Sequence, residues 1–296
     1  MDSRRSHLPT LETGNAILVN DMLEMEPAAT VTATLRYISP TTHKPRSYMF
    51  EPPSGVPRIS ATFEPHEAVI RNMRPVAANL SLDAQGFRLL RHESRLRSFD
   101  RDDDVCDIYY PESARLIAET TGAARVCVFD HTVRRRYTDG ASDPTRPRRE
   151  PVPRVHNDYT LKSGPQRVRD LMGKEAERLL RRRFSVINLW RPIRGPLEDA
   201  PLALCDARSV QPDDFVPIDV VYADRVGETY NLRHNAAHRW FYAPRMMPDE
   251  VLLFRSYDSL DDGRARFVPH AAFDDAEAPE NPMPRESVEL RALAFY

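Results

Sequence analysis

His156 and Asp158 stand two residues apart in "RVHNDYT" (154–160). An imidazole and a carboxylate at that spacing can share one divalent metal if the backbone is extended, because alternate side chains of a strand face the same way. Alone, H-x-D fits a polar surface turn equally well, so its meaning depends on residues further along the chain. A second histidine, His270, and then Arg285-x-Ser287 come later in that order. Two neutral imidazoles and one carboxylate make the facial triad of non-heme Fe(II) oxygenases, which leaves three coordination positions open. A 2-oxoacid such as 2-oxoglutarate takes two of them by chelation, and O2 takes the third. The distal carboxylate of 2-oxoglutarate then needs a guanidinium, which grips it through two parallel charge-assisted hydrogen bonds. Arg285 has that chemistry, and the Ser287 hydroxyl, two residues on, would point the same way.

Each assignment has a rival. His238, in "HNAAHRWFY", competes with His270 as third ligand, and His234 competes with His238. His270 is preferred because it alone directly precedes the strand that carries R-x-S. Arg291 is an alternative to Arg285; with Ser287 and Glu289 it shares one strand face, where Arg291 and Glu289 also suit a simple ion pair. Trp190, Arg191, Tyr230, Asn231 and Trp240 are candidates to line a substrate cavity, core packing being an equal reading for each.

The elements that must position these residues are mostly strands. After a helix expected over 166–183, with Val168, Leu171, Met172, Leu179 and Leu180 on one face, the chain becomes a train of short β-type runs. They are expected at 184–193, 201–210, 215–223, 238–244, 251–259, 265–273 and 287–296. Strands at such spacing predict a sandwich or barrel, here a jelly roll with helices packed outside. Earlier, 29–38 and 86–94 read as strands, and 123–135 as a buried strand. A helix is expected at 111–121, with Pro111 at its start and Gly122 as its stop. The expected organisation is one domain over 1–296: flanking strands and helices over 1–136, a candidate lid over 137–154, and a jelly-roll core over 155–296. The 137–154 segment, rich in proline and charge, would serve as a linker or as a lid.

Composition narrows the classes. A chain of 296 residues, 41% apolar and 29% charged, can bury a sizeable core. Its net charge of -2 gives no general attraction to nucleic acid or to acidic membranes, so neither is expected as a partner. The basic face of the 166–183 helix reads as a solvated surface. Cys106, Cys127 and Cys205 form no C-x-x-C, which predicts neither a disulfide framework nor a zinc ribbon and suits a reducing compartment, the cytoplasm. No apolar run approaches the length of a membrane span. Oligomeric state is left open.

Several blocks carry a resemblance: "GAARVCVFDHTVRRR", "VHNDYT", "NLWRPI", "PLALCDARSV", "HRWFYAPRMMPDEVLLFRSYDS" and "PHAAFDD…PRESVELRALAFY". Together, from about residue 105 to the C-terminus, they resemble the fungal hydroxylase/desaturase family, which includes gibberellin-desaturase-like proteins and relatives of the cephalosporin methoxylation subunit. The resemblance implies a cupin-like double-stranded β-helix, mainly β with flanking helices. It implies Fe(II)- and 2-oxoglutarate-dependent oxidation of an aliphatic C–H of a small molecule in secondary-metabolite biosynthesis, by hydroxylation, desaturation or ring closure. It carries the metal role onto His156, Asp158 and His270. It leaves the cosubstrate arginine open, because Arg191 of "NLWRPI" also stands in a family block. Arginines near the site would suit a carboxylic or amino acid substrate. Two other classes compete: a jelly-roll binding protein without turnover, and a zinc hydrolase. The intact H-x-D opposes the first, and the lack of an evident base beside the metal opposes the second.

Overall fold

The computed structural model describes residues 29–137 and 149–296. Two sheets face each other. The larger has nine strands in the order β1 (Thr30–Ile38), β3 (Phe63–Asn72), β11 (Trp240–Tyr242), β8 (Leu202–Cys205), β13 (His270–Ala272), β6 (His156–Asn157), β10 (Val226–Leu232), β9 (Phe215–Val221) and β2 (Arg46–Tyr48). The smaller has five: β4 (Phe87–Arg91), β12 (Glu250–Asp258), β7 (Phe184–Pro192), β14 (Glu286–Phe295) and β5 (Arg125–Arg135). Mostly β, with a curled larger sheet and few helices, this is a jelly roll, as the spacing of the strands predicted. Both sheets draw on the first half of the chain as well as the second; β5 and β14, about 150 residues apart in sequence, form a long antiparallel pair.

The smaller sheet is central because β7 and β12 are buried at every position. Strand alternation sends Ile187 and Leu189 to one face, where Val251, Leu253, Val288 and Leu290 join them under the helical segment. That segment starts as a turn, α1 (Asp102–Asp104), passes through a π-helical turn at Val105–Tyr109, and continues as α2 (Tyr110–Thr121). As expected, Pro111 lies in the first turn of α2 and Gly122 ends it in the left-handed conformation. The alternate residues of β7, Asn188 and Trp190, face the larger sheet and the site.

Several boundaries differ from expectation. The helix expected over 166–183 is two: α3 (Ser163–Met172) and α4 (Ala176–Leu180), with a 3-10 turn between them. Gly173, at φ 50° and ψ −124°, breaks the run in a conformation that favours glycine. Leu171, expected on the buried face, is exposed, while Val168 and Leu179 are buried. The runs at 238–244 and 265–273 shrink to three residues each, and His270 begins its strand instead of lying near the end. The run at 201–210 keeps only Leu202–Cys205 as strand. β3 and β10 were not foreseen: Pro65 interrupts the pattern of β3, and β10 faces a polar cavity, so neither shows apolar alternation. The central part of the 137–154 segment, residues 138–148, lies outside the described residues.

One glycine guards the packing next to the site. Gly86 has φ +92°, and a Cβ built on it would lie 2.3 Å from Val268 Cγ2 and 3.2 Å from Ala265 Cβ. Val268 in turn supplies the carbonyl that orients His270. Gly86→Ala therefore combines backbone strain with overpacking and should cost about 2–4 kcal/mol. A thermal melt should show Tm lower by roughly 5–10 °C; an unchanged Tm would mean that the 265–268 segment yields freely.

Candidate metal centre

β6 is only two residues long, yet it sits between β13 and β10, so His156 pairs in register with His270 on one side and Asn231 on the other. Asn157 holds it there. Its buried amide donates to the carbonyls of Tyr159 and Ser256, and its Oδ1 accepts from the Val268 amide at 3.2 Å. One side chain thus ties the H-x-D segment to β12 and to the residues leading into His270. Because Asn157 points into the packing, His156 and Asp158 face the opposite way, as the alternation predicts.

His156, Asp158 and His270 come together with their ligand atoms all within 4.8 Å of one another. Both imidazoles are oriented alike. His156 Nδ1 donates to the Arg154 carbonyl at 2.8 Å, and His270 Nδ1 donates to the Val268 carbonyl at 3.0 Å. These bonds assign the proton to Nδ1 and leave each Nε2 lone pair for another partner. His270 Nε2 is buried and has no hydrogen-bond partner, and His156 Nε2 lies 3.7 Å from Asp158 Oδ1. Burial, with His270 adding to it, pushes His156 down to about 3 against the pull of Asp158, so the ring is neutral at ordinary pH.

Asp158 divides its oxygens. Oδ2 accepts from Asn188 Nδ2 at 2.8 Å and faces Arg291 Nη1 at 3.5 Å, while Oδ1 is turned toward His156. Burial alone would raise its pKa, but Arg291 above all, then the imidazoles and Asn188, hold the carboxylate well below its usual range. An orphaned buried imidazole nitrogen, a second lone pair and an ionised oxygen converging on one point are a donor set for a divalent cation, and two nitrogens with one carboxylate favour Fe(II). Metal ligands need partners that fix them, and here these are the two carbonyls, Asn188 and Arg291. Asn188 is itself held by Glu289 Oε1 at 2.5 Å and by the Ser256 hydroxyl at 2.8 Å.

The rival histidines lie elsewhere. His238 has both ring nitrogens engaged, Nδ1 with Tyr37 and Nε2 with Asp214, and His234 stacks on His66. Among the arginines, Arg285 is buried beside the inner face of β14. Its Nε donates to Ser287 Oγ at 2.9 Å, its Nη1 to the Ala200 carbonyl at 2.6 Å, and its guanidinium lies 5.0 Å from the centre of the Trp190 ring. No carboxylate among the described residues pairs with it. Burial, with Arg134 nearby, pushes Arg285 down to about 9 against the pull of Glu289 and Asp199, so it is still charged at neutral pH.

Arg191 is turned to the other face of β7. It donates to the His92 carbonyl, to His92 Nδ1 at 2.7 Å and to the Pro248 carbonyl, over the Tyr109 ring. Neighbours on one strand face opposite ways, so Trp190 under Arg285 excludes Arg191 from that pocket. Arg291 pairs with Asp130 at 2.8 Å and braces Asp158; its expected bond to Glu289 is replaced by these two.

Of the five residues expected at the substrate cavity, Asn231 lines it and Arg191 faces away from it. Trp190 supports Arg285 instead. Trp240 pairs with Cys205, out of phase with Leu204 and His270, and donates to Tyr37 on the side away from the metal cluster. Tyr230 packs on Phe215 and Phe267. Asn157 and Asn188 were not anticipated; only the place of Asn157 as the central residue of H-x-D could have drawn attention to it.

The cluster opens on a cavity of about 1010 Å³ that His156, Asp158, Thr132, Tyr159, Asn231 and Arg291 help to line. That is large enough for a multi-ring small molecule.

A family model described as an oxidoreductase/YMDC permease-like domain matches residues 35–295. No helix among the described residues is long and apolar enough to cross a membrane. The chain is 34% identical over 287 residues to hydroxylase/desaturase efuI of Hormonema carpetanum, covering 90% of this chain and 95% of that protein. It is 28% identical over 255 residues to the Fe(II)/2-oxoglutarate-dependent dioxygenase nvfI of Aspergillus novofumigatus, covering 84% and 90%. A solved structure of the iron and alpha-ketoglutarate-dependent endoperoxidase NvfI matches with a TM-score of 0.80 at 26% identity, over 90% of this chain and 98% of that one.

Proposed function

Because the chain belongs to the fungal hydroxylase/desaturase family of Fe(II)- and 2-oxoglutarate-dependent oxygenases, we propose that His156, Asp158 and His270 hold its iron and that Arg285, with Ser287, anchors the distal carboxylate of 2-oxoglutarate. The enzyme is a dioxygenase that acts on a small molecule with Fe(II), 2-oxoglutarate and O2. The observation that carries the residue assignment is the convergence of the orphaned His270 Nε2, the His156 Nε2 and Asp158 Oδ1. The described residues act as a single domain, since both sheets take strands from both halves of the chain. Three cysteines without disulfides suit the cytoplasm.

When bound, the iron, 2-oxoglutarate and O2 supply an oxidant able to take hydrogen from an aliphatic C–H, with succinate and CO2 as coproducts. The chain's own residues set where that happens. The two Nδ1 bonds to backbone carbonyls keep both imidazoles neutral and aimed at one point. Asn188 and Arg291 occupy one oxygen of Asp158 and leave the other for the metal. Arg285, backed by Trp190 and Ser287, offers a charged fork in a water-poor pocket, where such bonds are strongest. Placement of the substrate in the cavity then selects hydroxylation, desaturation or oxidative ring closure.

The test is spectroscopic. Anaerobic protein given Fe(II) and 2-oxoglutarate should develop the visible charge-transfer band of the chelate, and admission of O2 should release succinate. A wild-type protein that gives neither would leave the jelly roll as a binding protein.

A further inference from the structure

We propose that Arg134 and Arg154, with Arg149 at the rim, form an anion subsite in the cavity that receives a carboxylate of the substrate. The inference rests on the assignment above of the iron ligands and of Arg285, and adds to it the chemical class of the substrate.

Three observations carry it. First, Arg134 and Arg154 line the cavity onto which the metal cluster opens. Arg134 faces Ser287 across the β5–β14 ladder, and Arg154 precedes His156 by two residues. Second, neither has a carboxylate partner among the described residues. Arg134 Nη1 donates to the Glu150 carbonyl at 3.0 Å, and Arg154 lies over the Phe63 ring at 5.4 Å.

Third, the charges that line the cavity do not balance. Eight lysines and arginines line it against six aspartates and glutamates, Asp158 among them. Loading the site does not correct this, since the two positive charges of Fe(II) cancel the two negative charges of 2-oxoglutarate. Half-buried guanidinia without a directly bonded carboxylate are costly unless an anion completes them. The missing charge is that of an anion, and a guanidinium fork recognises a carboxylate best.

The test uses the anaerobic enzyme loaded with Fe(II) and saturating 2-oxoglutarate, so that Arg285 is already occupied. The probes are 4-phenylbutanoate and its uncharged counterpart, 4-phenylbutanamide, read by calorimetry. The carboxylate should bind the wild-type complex at least about tenfold more tightly than the amide. That preference should fall below about threefold in Arg134→Gln and in Arg154→Gln, and survive in the corresponding Arg→Lys variants, which keep the charge. Either glutamine variant decides the matter if the other does not fold. Equal binding of the two probes to the wild type would overturn the proposal. So would glutamine variants that keep the preference while their 2-oxoglutarate affinity, read from the chelate band, falls tenfold, since the arginines would then serve the cosubstrate. A wild-type protein without a chelate band would defeat the iron assignment instead. In that event the same two probes, applied to the metal-free Arg285→Ala protein, still decide the anion subsite.

Discussion

Asp158→Ala should remove Fe(II) binding while leaving the fold intact. Changes to residues that merely orient a metal ligand typically cost 10–100-fold in affinity, so loss of the only anionic ligand should cost roughly 100-fold or more. The expectation that folding survives comes from the partners that Asp158 leaves behind. Arg291 keeps Asp130 at 2.8 Å and the Thr132 hydroxyl at 2.9 Å, so it is not stranded. Asn188 keeps Glu289 and Ser256. Removal of a buried carboxylate also removes its desolvation cost. The metal-free variant should therefore melt within about 2 °C of the wild type, while an anaerobic Fe(II) and 2-oxoglutarate titration shows no chelate band. Retention of the band at wild-type iron concentrations would move the metal elsewhere. Asn188→Ala gives the graded counterpart: Asp158 keeps all its atoms but loses its 2.8 Å brace, and iron affinity should fall by about 10–100-fold with the band still attainable at high iron.

How much of this site was legible in the sequence depends on which face of a strand each residue occupies. H-x-D could be read because period-two alternation alone places His156 and Asp158 together, whatever the rest of the fold does. His270 could be read from order, as the histidine ahead of the R-x-S strand. Arg191 shows where that reasoning stops. β7 is buried on both faces, so "FSVINLWRP" has no polar side to mark the interior of the barrel. Trp190 and Arg191, adjacent in sequence, end on opposite sides of the sheet. Trp240 fails for the same reason in β11, where being out of phase with Leu204 and His270 turns it to the far side. Asn157 and Asn188 act through long-range bonds to residues about a hundred positions away, which no local pattern encodes. The arginines of the cavity were legible only as a group that would suit an acidic substrate, without positions. That Arg134 faces Ser287 beside the site is a property of the pairing of β5 with β14, two strands about 150 residues apart in sequence.

Arg285→Ala should separate cosubstrate binding from iron binding. In the folded protein the guanidinium is buried and served only by neutral acceptors, the Ser287 hydroxyl and the Ala200 carbonyl, against the face of Trp190. A buried cation in that state is poorly compensated, and a carboxylate arriving in the pocket would supply two charge-assisted bonds at roughly 1.5–3 kcal/mol each. Their loss should raise the apparent Kd for 2-oxoglutarate by about 10²–10³-fold, with Fe(II) affinity within about threefold of wild type because no metal ligand touches Arg285. Arg285→Lys should fall between, near tenfold, since an ammonium keeps the charge but not the planar fork. The control is Arg191→Gln. It breaks the bonds to His92 and Pro248 and the contact with Tyr109 under α2, so it should lower Tm while leaving the 2-oxoglutarate Kd unchanged. A titration of the chelate band in the three variants reads all of this at once. The reverse result, with Arg191→Gln weakening 2-oxoglutarate and Arg285→Ala silent, would put the cosubstrate on the outer face of β7, where Tyr109 and the helical segment leave it no path to His156, Asp158 and His270. The inner-face position of Arg285, on the same side of the sheet as Asn188 and Asp158, is why the larger effect is expected there.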